Sequence, residues 1–368
     1  MLEFSHQPAT RRSVAEREAA LVDPGFGKVF TDHMVSISWT REQGWHDAKV
    51  MPYGPIAMDP AASVLHYGQE IFEGIKAYRH QNGNVVTFRP EANAQRMNES
   101  AKRLALPELP EELFVRALEE LVRVDVDWVP SHEDQSLYLR PFMISDESFL
   151  GVRAAEKARF MVIASPAGPY FTGGVKPVSI WLSEEHARAG RGGTGAAKCG
   201  GNYAASLLPT RVAQENGCAQ VLFTDAATKD QIDELGGMNL FLVRADGNLV
   251  TPALNGNILD GITRRSLIQL AKDRGLSVDE REVTVSEWRE GAADGSIVEA
   301  FACGTAAVIT PIGALKAASG TLVDFGDRAP GELTMSLREE LTGIQFGTVA
   351  DPHGWVHQIV AADVVATA

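Results

Sequence analysis

Residues 188–208 read Arg-Ala-Gly-Arg-Gly-Gly-Thr-Gly-Ala-Ala-Lys-Cys-Gly-Gly-Asn-Tyr-Ala-Ala-Ser-Leu-Leu, and a single lysine, Lys198, stands there among small residues with no carboxylate in the stretch. Glycines at 192, 193, 195, 200 and 201 admit a backbone or a flat ligand where a Cβ would block it. Lysine is strongly hydrated and is rarely buried without a partner. Desolvated, its amine loses its proton more readily and becomes a nucleophile suited to imine formation. The alternative is a solvated lysine on a flexible Gly loop, and the apolar surroundings weigh against it. A phosphate loop of the Walker type needs Gly before the lysine and Ser or Thr after it. Ala197 and Cys199 occupy those positions, so that chemistry fails at both flanks.

Working outward, Val178 to Leu182 reads as a strand before the lysine, and a helix is predicted from about Asn202 to Asn216, closed by Gly217. Further strands are expected at Gln220 to Phe223 and Asn239 to Val243, with a turn at Asp246-Gly247. Thr263 is expected to cap a helix that runs to Arg274, and Pro330 to Leu341 carries another. Upstream, Met34 to Trp39 alternates as a half-buried strand does. Ile75 to Tyr78 and Val85 to Phe88 flank His80-Gln81-Asn82-Gly83, a hairpin signal. Pro90 opens a helical pattern to Leu104, a second helix covers Glu111 to Val122, and Ser136 to Ile144 and Arg159 to Ala164 look like strands. These interspersed hairpins argue for an α+β fold. The Pro- and Gly-rich segment 165–176 reads as an interdomain loop between a smaller N-terminal domain, 1–164, and a larger C-terminal one, 177–368.

Bulk properties narrow the function classes. The 368 residues suffice for two cores, and the formal net charge of -14 argues against nucleic acid or an anionic membrane as partner. Three cysteines, Cys199, Cys218 and Cys303, share no metal-ligand spacing, so neither a disulfide framework nor a metal site is expected. The polar N-terminus lacks the apolar core of a secretion signal, and a cytoplasmic location is the expectation.

A lysine imine needs an electrophilic partner, and pyridoxal phosphate makes definite demands. Its phosphate wants cations and backbone N–H groups; its ring nitrogen wants a carboxylate. Gly261-Ile262-Thr263 precedes a helix, where unpaired N–H groups favour an anion, and Thr263 as a plain cap is the rival reading. Arg89 ends a hairpin strand, and Gly304-Thr305 offers a hydroxyl beside free backbone. Glu234 leads through Gly236-Gly237 into an apolar strand, as a ring-nitrogen partner or as a solvated turn residue. Tyr203 serves the ring hydroxyl or belongs to the core.

The chain as a whole resembles the branched-chain amino acid aminotransferases, class IV enzymes of the fold type IV pyridoxal phosphate group. The likeness rests on Phe-Gly-Lys-Val-Phe-Thr-Asp-His-Met (26–34), Leu-His-Tyr-Gly-Gln-Glu-Ile-Phe-Glu-Gly-Ile-Lys-Ala-Tyr (65–78), Phe-Arg-Pro (88–90) and Leu-Tyr-Leu-Arg-Pro (137–141). It continues through Ala-Gly-Pro-Tyr-Phe (167–171), Lys-Cys-Gly-Gly-Asn-Tyr (198–203), Glu-Leu-Gly-Gly-Met-Asn (234–239), Leu-Asp-Gly-Ile-Thr-Arg (259–264) and Cys-Gly-Thr-Ala-Ala (303–307).

The resemblance implies a two-domain α+β enzyme with pyridoxal 5'-phosphate at the domain interface and a homodimer in which a neighbouring subunit's loop completes each pocket. It implies transamination of leucine, isoleucine and valine with 2-oxoglutarate, giving branched 2-oxo acids and glutamate. Lys198 would be the catalytic lysine. Cofactor-binding residues would be Arg89, Arg188, Lys198, Tyr203, Glu234, Leu259, Gly261, Ile262, Thr263 and Thr305. Phe26, Tyr67, Phe72, Tyr138, Val152 and Tyr170 would form the apolar side-chain pocket, with Arg140 for a distal carboxylate and Thr305-Ala306 for the substrate carboxylate. A D-amino acid aminotransferase or an aminodeoxychorismate lyase would share the lysine and the carboxylate; the long N-terminal segment with Phe26 favours the branched-chain reading. Two departures stand out. The redox Cys-x-x-Cys pair of vertebrate members is replaced by Ala307 and Thr310, and Gly237 stands where those enzymes carry Thr.

Overall fold

A computed structural model describes residues 2–132, 134–169 and 174–362. The chain divides into two units, Met1–Tyr170 with Gly343–Ala368, and Phe171–Thr342. The sequence pattern assigns residues 177–368 to the second domain. The chain in fact returns to the first unit at Gly343, within the helix Glu332–Phe346, and its strand Val356–Val360 pairs antiparallel with Val85–Phe88.

The first unit is built on a nine-stranded sheet. Its centre is the long antiparallel pair Ser136–Ser145 and Lys157–Ala167, flanked by His33–Thr40 on one side and Ile75–Arg79 on the other. The second of these central strands runs past the expected boundary at 165: Ser165, Pro166 and Ala167 still pair, with Tyr138, Leu137 and Ser136. The strand thus takes up the first three residues of the segment expected to join the domains. Gly83 turns the Ile75–Arg79/Val85–Phe88 hairpin at φ +88°. Helix Glu111–Val124 buries Leu113, Phe114, Ala117, Leu118, Leu121 and Val122, a single face at helical spacing, and lays it on the strands His33–Thr40 and Lys157–Ala167.

The second unit carries another nine-stranded sheet, eight of its strands in the order Ile232–Leu235, Gln220–Thr224, Val178–Leu182, Val308–Ala317, Ile297–Gly304, Asn239–Arg244, Leu249–Pro252 and Val278–Arg281, with Gly320–Asp324 pairing with Val308–Ala317 off that path. Parallel and antiparallel neighbours mix in it, as is common in large sheets. Ile180, Leu222, Leu240, Trp288, Ala302 and Leu315 belong to its core. Helix Gly200–Glu215 ends where Gly217 adopts φ +68° and Cys218 N–H reaches back to Ala213 O, 2.8 Å. Among the described residues no helix is long and apolar enough to cross a membrane.

One buried charge pair fixes the chain beside Phe72. Glu73 is fully buried; Arg96 donates Nε to Oε1 (2.8 Å) and Nη2 to Oε2 (2.7 Å), and Asn93 Nδ2 adds a bond of 2.7 Å to Oε2. Removing one member of such a pair strands the other without water. Arg96→Ala is expected to destabilise the protein by about 3–5 kcal/mol, read as a lowered midpoint in urea unfolding, whereas an exposed control such as Arg41→Ala should leave it within experimental scatter.

Candidate active site

Lys198 sits immediately before the helix Gly200–Glu215, and Tyr203 projects from the first turn of that helix. The spacing brings the two side chains together: Lys198 Nζ donates to Tyr203 Oη at 2.6 Å and lies 5.1 Å from the ring centroid. The lysine is half-buried. The loop ahead of it is tied to the helix by the buried Asn202, whose Nδ2 donates to Thr194 O (2.7 Å) and Ala197 O (2.8 Å) while its Oδ1 accepts from Thr194 Oγ1 (2.8 Å). A glycine-rich segment is entropically costly to order. Asn202 supplies the local bonds that offset that cost.

Glu234 lies within the strand Ile232–Leu235 and is almost completely buried. Its two oxygens have different partners. Oε1 pairs with Arg188 Nη2 at 2.7 Å; Oε2 accepts from Asn239 Nδ2 at 3.1 Å and from Leu259 N–H at 3.3 Å. Burial pushes this carboxyl up to about 7, against the pull of Arg188, the Leu259 N–H and Lys198 in the other direction. Arg188 is itself buried, donating Nη2 to Gly195 O (3.0 Å) and to Asn257 O. The loop carrying Asn257 is held by Asp233, which accepts from Asn255 Nδ2 (3.0 Å) and Asn257 Nδ2 (3.3 Å). A Cβ at Gly195 would run into Asn257 backbone, so that glycine is a condition of the approach.

The helix Ile262–Asp273 begins differently from its sequence signal. Its N-cap is Gly261, not Thr263, and no side chain caps it. Thr263 lies one residue inside the helix and is buried. Gly261 takes the cap position because any Cβ there would collide with Asn239 Oδ1, and Asn239 is already committed through Nδ2 to Glu234 and to Leu259 O (2.9 Å). The first N–H groups of this helix thus have no side-chain acceptor of their own, the arrangement that binds anions. Thr305 and Ala306 form the turn between the antiparallel strands Ile297–Gly304 and Val308–Ala317. Gly304, just before them, packs on Met238 and the Gly237 carbonyl, which brings this turn beside the segment that follows Glu234. Cys199 and Cys303 are buried, and burial pushes the Cys303 thiol up, away from a reactive thiolate.

The remaining residues belong to the first unit. Phe26, Tyr138 and Arg140 line a cavity of about 200 Å³ together with Phe30 and Ile163. Tyr138 and Arg140 share one face of their strand, two residues apart, and Phe26 meets the Tyr138 ring edge-on at 4.9 Å. The Arg140 guanidinium lies 5.0 Å from the Phe72 ring and 5.3 Å from the Tyr138 ring, and its buried Nε has no hydrogen-bond partner among the described residues. Tyr67 and Val152 do not line this cavity; both are exposed, with the Tyr67 hydroxyl donating to Leu150 O. Tyr170 lies outside the described residues. Arg89 heads the helix Pro90–Arg103. Asn202, Asn239, Asn257 and Asp233 were missed by sequence reasoning; the only hint was asparagine beside glycine in Gly201-Asn202 and Gly256-Asn257.

Comparison with known proteins bears on the same residues. The family model for class IV amino-transferases matches residues 70–315. The branched-chain-amino-acid aminotransferase of Mycolicibacterium smegmatis is 57% identical over 363 residues, which are 97% of this chain and 98% of that protein. Two solved structures of the T.th. branched-chain amino acid aminotransferase share the fold. The one with pyridoxamine 5'-phosphate has a TM-score of 0.73 at 28% identity, covering 89% of this chain and 99% of that one. The one complexed with N-(5'-phosphopyridoxyl)-L-glutamate has a TM-score of 0.71 at 27% identity over the same shares. With likeness of this extent running through the lysine, the buried acid and the uncapped helix, the chain belongs to the branched-chain amino acid aminotransferases, enzymes of fold type IV.

Proposed function

We propose that the enzyme moves the amino group of leucine, isoleucine or valine to 2-oxoglutarate, using pyridoxal 5'-phosphate held by Lys198, Tyr203, Glu234, Arg188, Leu259, Gly261, Ile262, Thr263, Thr305 and Arg89. The residues fit that group on two grounds. The helix at Ile262 offers N–H donors with no side-chain cap, suited to a phosphate. A buried acid, oriented by three donors, suits a protonated ring nitrogen. The relative of known structure that carries a phosphopyridoxyl-glutamate adduct supports glutamate as the second amino donor.

When bound, the cofactor supplies an electron-poor ring that accommodates the charge left when the substrate Cα–H bond breaks. The chain supplies the rest. Lys198 Nζ takes the Cα proton and later returns one; Tyr203 Oη, at 2.6 Å, holds that amine in place between the two transfers. Glu234 keeps a proton on the ring nitrogen, and Arg188 keeps Glu234 from turning away. The Thr305–Ala306 turn orients the substrate carboxylate. Phe26, Phe72 and Tyr138 receive the branched side chain, Arg140 the distal carboxylate of glutamate. Tyr67 and Val152, exposed on the first unit, suit a homodimer in which they complete a pocket. The pairing of the Lys198 amine with Tyr203 beside the buried Glu234 carries this reading.

Lys198→Ala should reduce leucine-to-2-oxoglutarate transfer by roughly 10³-fold or more and abolish borohydride trapping of cofactor on the chain; a trappable, active variant would overturn the assignment. In the unsubstituted enzyme leucine should sustain turnover and D-alanine should not; the reverse result would indicate a D-amino acid aminotransferase.

Glu234 also gives the cofactor-free protein a defined pH response. Its folded carboxyl, near 7, lies above the ordinary 4.5, so the folded state keeps a proton that the unfolded chain releases. Its contribution to stability is therefore fully present below pH 4.5, declines as pH rises to about 7, and is flat above that. Glu234→Gln should remove that slope, seen as unfolding midpoints that separate from those of the unsubstituted protein across the same window.

A further inference from the structure

Arg89 is held in an unusual way, and the C-terminal segment does the holding. The residue adopts a left-handed backbone conformation (φ 52°, ψ 49°), uncommon where a side chain is present. Its N–H donates to the Trp355 carbonyl at 2.7 Å, and its guanidinium carbon lies 4.9 Å from the Trp355 ring centroid. The indole is fixed in turn: Phe88 meets it edge-on at 5.6 Å and His353 stacks on it at 4.5 Å with planes 22° apart. Asp351 shapes the turn beneath, accepting from Val356 N–H (2.7 Å) and His353 N–H (3.2 Å), and Val356 pairs directly with Phe88. The backbone N–H and the guanidinium of Arg89 thus both meet one residue from the far end of the sequence.

We propose that Trp355 is a positioning residue for the cofactor phosphate, acting through Arg89. The inference rests on the reading above that Arg89 is a phosphate ligand. A guanidinium beside an aromatic ring is attracted by the ring's quadrupole, and its planar fork of N–H donors is of the type that suits a phosphate. The ring contact restricts an otherwise flexible side chain before the anion arrives, so less freedom is lost on binding. The contribution is specific to the phosphate, because Trp355 has no role toward the aldehyde that reacts with Lys198.

The test is the ratio of affinities of the full chain for pyridoxal 5'-phosphate and for pyridoxal, which lacks the phosphate, each rebound after cofactor removal. Trp355→Leu keeps apolar volume without a ring and should lower the ratio roughly 3- to 30-fold, the range of a cation–π contact. Trp355→Phe, with a weaker ring quadrupole, should fall between Leu and Trp. Arg89→Ala should lower the ratio most. A Trp355→Leu ratio equal to that of the unsubstituted protein, with both affinities unchanged or equally reduced while Arg89→Ala loses its phosphate preference, overturns the positioning role alone. An unchanged ratio in Arg89→Ala overturns the phosphate reading of Arg89 and the proposal with it. Thermal unfolding of each variant checks the fold; should the Leu variant not fold, the Phe variant decides, and a ratio matching Trp overturns the proposal.

Discussion

A carboxylate taken out of water needs a cation at contact, and the second unit is organised around the place where Glu234 meets Arg188. The arginine fits only because carbonyls of Gly195 and Asn257 turn inward to it, and those carbonyls are in place because Asp233 grips Asn255 and Asn257. Around this pair, Gly195 and Gly261 stand where a Cβ would collide, with the Asn257 backbone and the Asn239 side chain respectively. A well-packed apolar substitute for such a pair is often at least as stable. Its use here is orientation: Glu234 is fixed by three donors and faces one way only. The loop before Lys198 leans on the same scaffold, since Ala196 N–H donates to Gly256 O at 3.0 Å.

The sequence was legible where the reason for a residue is local. Gly83 and Gly217 adopt positive φ where a turn and a helix end were expected, and Pro90 opens its helix. Lys198 drew notice because its neighbours are too small and too uncharged to keep a surface lysine company. Legibility failed where a residue works through a distant partner. Asp233 and Asn239 lie in two strands and Asn257 in a loop, and their importance arises only when these three separate segments converge. Thr263 shows a different failure. Threonine is a good cap by local preference, yet the helix starts without a side-chain cap, as expected where donors are kept for something other than the chain itself. Val356–Val360 was missed because a five-residue strand at a sheet edge carries almost no pattern.

In the first unit the proposed substrate pocket combines two demands on one cavity. Arg140 lies among the rings of Phe72 and Tyr138, so a cation is present while much of the wall stays apolar. Guanidinium is more weakly hydrated than an ammonium and tolerates such company. The wall itself is rigid: a Cβ on Gly74 would strike the Tyr138 hydroxyl, and Glu73 beside it is clamped by Arg96 and Asn93. A cavity with fixed walls distinguishes side chains by shape.

The strand Val356–Val360 has a bearing on the order of events at the ribosome. The second unit is one continuous run of chain, so its sheet has all its strands once residue 342 has emerged. The first unit has eight of the nine strands of its sheet before residue 168 and waits for the ninth through the synthesis of the entire second unit. During that interval the edge Val85–Phe88 is bare, a strand whose four residues are all buried when folding ends. The unit begun first is therefore the one finished last.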